Sequence, residues 1–135
     1  MRKQNKYMKI SIITITYNSA KTVQRALDSV QNQHYSDIEH IIVDGASSDG
    51  TREIVEKYAA DHKNVRYISE PDKGIYNALN KGIQMATGDV IGFLHSDDML
   101  YSSDSIGKIA ASFENESVDV VYGDLQYCHG DKVIR

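Results

Sequence analysis

The sequence predicts an α/β domain with a largely parallel central sheet, and three observations carry that prediction. Five short, apolar, β-branched runs recur along the chain, and helical patterns separate them. Gly, Ser and Pro punctuate the joints, with "GASSDG" at 45–50 and Pro71, the only proline, lying between runs. Three of the runs lead into polar residues: Thr16-Tyr17-Asn18, Asp44-Gly45 and His95-Ser96-Asp97-Asp98. Ligands of open parallel sheets bind outside the carboxyl ends of the strands, so the strand reading alone already points to one edge as the functional one.

The elements follow in order. "KISIITIT" (9–16) is almost continuously apolar and suits a central parallel strand. In "NSAKTVQRALDSVQNQ", Ser19 can cap a helix whose apolar stripe is Val23, Ala26, Leu27 and Val30. "IEHIIVD" (38–44) is the second strand, and a helix is expected from about Thr51 after a Gly/Ser turn. "VRYIS" (65–69) is the third strand. "KGIYNALNKGIQMATG" (73–88) predicts a helix with Ile75, Leu79, Ile83 and Ala86 on one side and Gly88 as its stop. "DVIGFLH" (89–95) is the fourth strand. A helix capped by Ser102 or Ser103 and running to about Phe113 comes next, then a fifth strand, "VDVVYGD" (118–124). Right-handed crossovers follow from that alternation.

With 135 residues the chain is expected to form one domain, preceded by a flexible basic lead over residues 1–8. Arg2, Lys3, Lys6 and Lys9 make the start basic, while the whole chain carries a net charge of −4. No broad basic face is available for nucleic acid. Cys128 is the single cysteine, which excludes an intrachain disulfide and a cysteine zinc cluster and fits a reducing, cytoplasmic setting. No run approaches the roughly 20 apolar residues of a membrane span. The apolar start at Met8–Ile15 is too short for a signal-peptide core and reads better as a strand.

Each polar constellation admits a chemical and a structural role. Asp97 and Asp98 are adjacent, and two carboxylates about 4 Å apart repel by roughly 1 kcal/mol in water and more near a protein interior. A hard cation, Mg²⁺ or Mn²⁺, would offset that and keep positions open for phosphate oxygens. A helix cap is the structural alternative. His95 is either a further ligand or a hydrogen-bonded strand end. Asp44-Gly45 can meet a base or ribose, or simply begin a turn. Tyr17-Asn18 can stack on a nucleobase or serve a turn. In "EPDKG", Lys73 beside a helix N-terminus suits a diphosphate, or else it is a solvated loop residue. Asn77 and Asn80 sit one helical turn apart. No Ser-His-Asp or Cys-His arrangement stands out.

In order, the motifs "SIITITYNSAKTVQRALDSVQNQHYSDIEHIIVDGASSDGT" and "SEPDKGIYNALNKGIQMATGDVIGFLHSDD" resemble the family 2 glycosyltransferases of GT-A fold. The similarity runs from Lys9 to about Gly123, and it looks most like bacterial enzymes of exopolysaccharide, lipopolysaccharide or capsule assembly, including colanic-acid-type transferases. It implies a Rossmann-like α/β/α sandwich and residues 9–135 as its nucleotide-sugar-binding portion. It also implies an inverting transfer from a UDP-sugar to a saccharide or lipid-linked acceptor. Thr16, Tyr17 and Asn18 would line the nucleotide pocket and Asp44 would meet the base. Lys73, Gly74, Asn77 and Asn80 would lie by the donor. Asp97 would face the ribose or the metal's outer shell, and Asp98 would ligate the metal.

Two departures accompany the resemblance. Many members carry Asp-x-Asp where this chain has His95-Ser96-Asp97, so fewer carboxylates serve the metal. Their general base comes many residues later, so it is expected beyond Arg135; Asp124 and Asp131 do not match its motif. Donor binding without sugar transfer is therefore expected of these residues alone, with homodimerisation and contact with the inner membrane face compatible. The alternatives are a non-catalytic nucleotide-binding module working with a partner chain and, much less well matched, a signalling receiver domain. A receiver gathers its acids after the first strand, where this chain has Thr16-Tyr17-Asn18.

Overall fold

The computed structural model describes residues 8–114 and the backbone of 127–129 and 132–134. Strands β1 (Ile10–Thr16), β2 (Ile38–Asp44), β3 (Val65–Ser69) and β4 (Val90–Phe93) form one parallel sheet in the order β3-β2-β1-β4. β1 and β2 run in register from Ile10 opposite Ile38 to Thr16 opposite Asp44. Ser69 ends β3 opposite Asp44. On the other side of β1, Ile13 pairs with Phe93, and the next N–H, of Leu94, donates to the Ile13 carbonyl. The carboxyl ends of all four strands thus share one edge.

Helices α1 (Val23–Gln31), α2 (Thr51–Asp61), α3 (Ile75–Met85) and α4 (Ser105–Ser112) cover the sheet. Alternation along β1 decides which face each helix meets. Ile10 and Ile12 pack with Ala26, Val30, Ile106 and Ala110 of α1 and α4. Ile13 packs with Ala78 of α3 on the opposite face. The result is an α/β/α sandwich. All four residues of the expected α1 stripe are buried, and a fully buried Val or Leu side chain contributes roughly 1.5–3 kcal/mol.

The stripe expected on α3 is rotated. Its buried residues are Ala78 and Gly82, while Ile75 and Ile83 are exposed. The cause is close approach: a Cβ on Gly82 would lie 2.6 Å from Ile13 Cγ2, so the helix meets β1 through its smallest residues. Ser19 does not cap α1 with its side chain; its carbonyl accepts from Thr22 and Val23 N–H, and its hydroxyl is used elsewhere. β5 (Tyr127–His129) and β6 (Lys132–Ile134) form an antiparallel pair that the strand reading did not anticipate. The strand expected at 118–124 lies outside the described residues, as do Asp124, Asp131, Arg2, Lys3 and Lys6.

Lys9, the first residue of the expected domain, is tied into the fold. Its N–H donates to Asp89 Oδ2 (2.9 Å) and its ammonium to Thr87 Oγ1 (2.6 Å). It stands 3.8 Å from Glu39, which anchors the amino end of the sheet. The Glu39 side chain is 9% exposed. It accepts from Ser11 Oγ (2.7 Å), Thr87 N–H and Oγ1 (both 2.9 Å) and Arg66 Nη2 (2.9 Å). Burial alone would raise its pKa, but the hydrogen bonds from Thr87, Ser11 and Arg66 outweigh it and hold the carboxyl at about 2.

A second polar chain crosses the layers. Tyr58 OH donates to the Leu27 carbonyl (3.0 Å), so it accepts from His40 Nδ1 (3.1 Å), and His40 Nε2 accepts from Thr14 Oγ1 (2.8 Å). That order of donors requires the neutral Nδ1–H tautomer. Complete burial pushes the His40 pKa down to about 3.

Candidate functional site

β-Branched residues carry β1 to Thr16, and the next two residues leave the sheet. Tyr17 is 65% exposed. Asn18 adopts φ +49°, a left-handed conformation that asparagine tolerates better than most residues. Its N–H donates to Ser47 Oγ (2.8 Å) and its Oδ1 accepts from Ser48 N–H (2.9 Å). Asn18 therefore ties the end of β1 to the loop after β2, and its side-chain oxygen is already committed.

Asp44 occupies the end of β2. The resemblance implies that it meets the base; here it is 0% exposed, and both carboxylate oxygens turn into the protein. Oδ1 accepts from Ser47 Oγ (2.6 Å), and Oδ2 accepts from Ser47 N–H (3.0 Å) and Ser69 Oγ (2.8 Å). Its carbonyl accepts from Glu70 N–H (3.0 Å), which draws the loop after β3 against the end of β2. Three donors within hydrogen-bond range satisfy a buried carboxylate well. The residue holds the loops together.

The "EPDKG" loop is held at several points. Lys81 of α3 donates to the Pro71 carbonyl (3.1 Å) and pairs with Glu70 (3.3 Å). Asp72 Oδ1 accepts from Gly74 N–H (3.0 Å), and Asn77 Oδ1 accepts from Lys73 N–H (3.0 Å). Gly74 takes φ +113° with an extended ψ, a region open essentially to glycine alone. This turns the chain into α3 with no side chain capping the helix, so the first N–H groups of α3 stay available beside Lys73. The Lys73 ammonium has no partner among the described residues.

The end of β4 is fastened to the end of β1 by a 2.9 Å hydrogen bond between Ser96 and Ser19 hydroxyls. Asp98 N–H donates to the His95 carbonyl (3.0 Å), making a tight turn that exposes His95, Asp97 and Asp98. Neither carboxylate has a hydrogen-bonding or ion-pair partner among the described residues. Among those residues no three His, Cys, Asp or Glu side chains converge as a ready metal cage, so His95, Asp97 and Asp98 are not preassembled into one. Mg²⁺ rarely needs a cage; one or two carboxylates plus substrate phosphates suffice. The two free carboxylates fit that use.

Thr16 supplies one more unspent group. It is 1% exposed, and its Oγ1 is a buried side-chain oxygen without a partner among the described residues. Such an atom calls for an explanation, which an ordered water, an ion or a ligand group would equally give.

The chain matches the family model "Glycosyl transferase family 2" over residues 11–134. It belongs to glycosyl transferase family 2. Among curated relatives of this family, a PGL/p-HBAD biosynthesis glycosyltransferase of Mycobacterium bovis is 39% identical over 117 residues, covering 85% of this chain and 46% of the relative. The chain thus spans about half the length of the curated relatives it matches. Two solved structures show the same fold. S. aureus TarS 1–349 in complex with UDP-GlcNAc has a TM-score of 0.70 at 33% identity, covering 81% of this chain and 32% of TarS. The mannosyltransferase PcManGT from Pyrobaculum calidifontis, in complex with GDP-Man and Mn²⁺, has a TM-score of 0.69 at 28% identity, covering 76% and 31%. The fold is therefore GT-A.

The structure gathers Thr16, Tyr17, Asp44, Lys73 and Gly74 through neighbouring strand ends, and Ser96 ties the Asp97-Asp98 turn to the same edge. It commits Asn18 and Asn77 to holding loops, and it leaves Asn80 exposed on α3. Sequence reasoning missed Asp72, Ser47 and Ser69. Asp72 and Ser47 are short polar loop residues and Ser69 closes a strand, so none carries a periodic signal; only the spacing of Asp72 before Gly74 and of Ser47 after Asp44 hinted at a role.

Proposed function

We propose that this chain carries the donor site of an inverting glycosyltransferase that uses a nucleoside diphosphate sugar, a uridine diphosphate sugar in particular, and serves cell-surface glycan assembly on the cytoplasmic side of the membrane. One observation carries the reading: side chains without internal partners collect on the carboxyl edge of the sheet. The relatives support its direction, since TarS is described with UDP-GlcNAc and PcManGT with GDP-Man and Mn²⁺.

Tyr17 offers an exposed ring on which a base can stack. Lys73 and the uncapped start of α3 face the same edge with a positive charge and free N–H groups, the pattern that binds phosphate oxygens. Asp97 accepts from a ribose hydroxyl. Asp98, with Asp97, would hold Mg²⁺ or Mn²⁺, which supplies charge neutralisation for the departing diphosphate. An acceptor hydroxyl, on a saccharide or a lipid-linked saccharide, displaces that diphosphate at the anomeric carbon. No described residue is assigned as its base.

Calorimetric titration with UDP, with and without Mn²⁺, tests the reading on the native chain and on Asp98→Ala. Metal-dependent binding that Asp98→Ala weakens at least tenfold is expected. Binding that ignores both metal and substitution would remove Asp98 from the site, and a folded chain that takes no nucleoside diphosphate would sink the reading.

A further inference from the structure

The residue that reads the nucleobase can be located more closely, on the understanding that the carboxyl edge is a donor site. Asp44 is the acid that the strand-end pattern suggests, yet its carboxylate is buried and satisfied by Ser47 and Ser69. The neighbouring Gly45 is buried and has no side chain, and what surrounds it is informative. A Cβ built there would lie 2.9 Å from Asp72 Oδ2 and 3.3 Å from the Tyr17 ring. The ring of the exposed Tyr17 and a carboxylate oxygen therefore flank one patch of bare backbone. Asp72 Oδ1 is turned to Gly74 N–H, whereas no described donor reaches Oδ2.

We propose that Asp72, not Asp44, reads the base stacked on Tyr17, and that it selects a base whose pairing edge offers one N–H donor flanked by carbonyls, uracil or thymine. A carboxylate can only accept. The N3–H of uracil gives one donor for the one free oxygen. Guanine presents two adjacent donors and calls for both oxygens, one of which is held by Gly74. Cytosine carries an acceptor at N3 and would be repelled. The loop is set before ligand arrives, because Lys81, Asn77 and the Asp44 carbonyl all hold it, and preorganisation of this kind raises affinity. Gly45 is the residue that leaves room for the arrangement.

The test is calorimetry of UDP, CDP and GDP with Mg²⁺ on the native chain, Asp72→Asn and Gly45→Ala. In Asp72→Asn the amide oxygen keeps Gly74 N–H, and the NH₂ replaces Oδ2 toward the base. The native chain is expected to prefer UDP over CDP and GDP by about tenfold or more. Asp72→Asn should weaken UDP about ten- to a hundredfold and move the UDP:CDP ratio toward CDP. Gly45→Ala should weaken UDP several-fold. A merely structural role would lower all three nucleotides together and leave the ratio unchanged. An unchanged UDP:CDP ratio in Asp72→Asn, or a native preference for GDP, overturns the assignment and leaves the donor site standing. Failure of the folded native chain to bind any of the three removes the donor site itself, and this assignment with it.

Discussion

At the amino end of the sheet Glu39 receives hydrogen bonds from Ser11, Arg66 and both the N–H and hydroxyl of Thr87, whereas at the carboxyl end the side chains of Asp97, Asp98 and Lys73 meet no partner among the described residues. The same four strands supply both sets. Glu39 joins the starts of three strands and the turn before β4, so its charge is spent on the fold. The carboxyl-edge groups are held in place through backbone and neighbouring side chains, yet their own polar atoms remain uncommitted. The difference separates residues that build the sheet from residues that wait for something outside it. Asp44 and Asn18 belong to the building set although they stand at the carboxyl edge.

The sharpest way to break this comparison is Glu39→Ala. It strands the donors of Ser11, Thr87 and Arg66 around a partly dry site, and an unfolding free energy lower by about 3 kcal/mol is expected in urea titration. UDP affinity of the folded molecules should not change. A loss under 1 kcal/mol would mean that water replaces the carboxylate and that the amino end is not the fastening it looks like.

Acid sharpens the same contrast. His40 has a folded pKa of about 3 against an ordinary 6.5, so the folded state binds fewer protons between those values. Its contribution is complete above pH 6.5 and is lost as pH falls through that window. Glu39, at about 2 against 4.5, adds its loss between pH 4.5 and 2. Stability should fall by up to about 1.4 kcal/mol per pH unit below pH 6.5, and more steeply below 4.5. In His40→Gln the decline between pH 6.5 and 4.5 should largely vanish, even though that variant starts less stable.

Gly82→Ala puts a methyl against Ile13. Overpacking costs roughly 1–3 kcal/mol and the gain in helix propensity returns up to about 1, so a net loss near 1 kcal/mol is expected from thermal unfolding. The smallest effect belongs to the free edge. Asp97→Ala and Asp98→Ala should change stability by less than about 0.5 kcal/mol while weakening metal-dependent UDP binding. A large stability loss in either would place that acid among the builders.

Much of this division was legible in the sequence, for physical reasons that differ by element. The first two strands are continuous β-branched runs, and the α1 stripe of Val23, Ala26, Leu27 and Val30 has the helical period, so local patterning settles them. The polar strand ends gather on one edge of the sheet because the four strands are parallel. The α3 face was misread because Gly82 contributes nothing to an apolar pattern, yet it permits the closest approach to Ile13. The residues left Asp44 open between a ligand contact and the start of a turn, because an acid at a strand end looks the same whether or not two serines close over it; only the resemblance placed it at the base. Asp72 was passed over because only the missing side chain of Gly45, a tertiary fact, reveals what it faces. The β5–β6 pair was missed because two three-residue strands are shorter than any periodic signal, although Gly130-Asp131 between them is a hairpin sequence.

The most direct test is a ¹⁵N amide NMR titration of the native chain with UDP and Mg²⁺, reading every shift at once. The amides of Tyr17, Gly45, Asp72, Lys73, Gly74, Asp97 and Asp98 should move together in one saturating event, with Ser11, Glu39, Thr87 and Gly88 still. Shifts concentrated instead at the Glu39 end, or along the open hollow of about 310 Å³ between α1 and α2 lined by Gln24, Lys57 and His62, would contradict the donor edge.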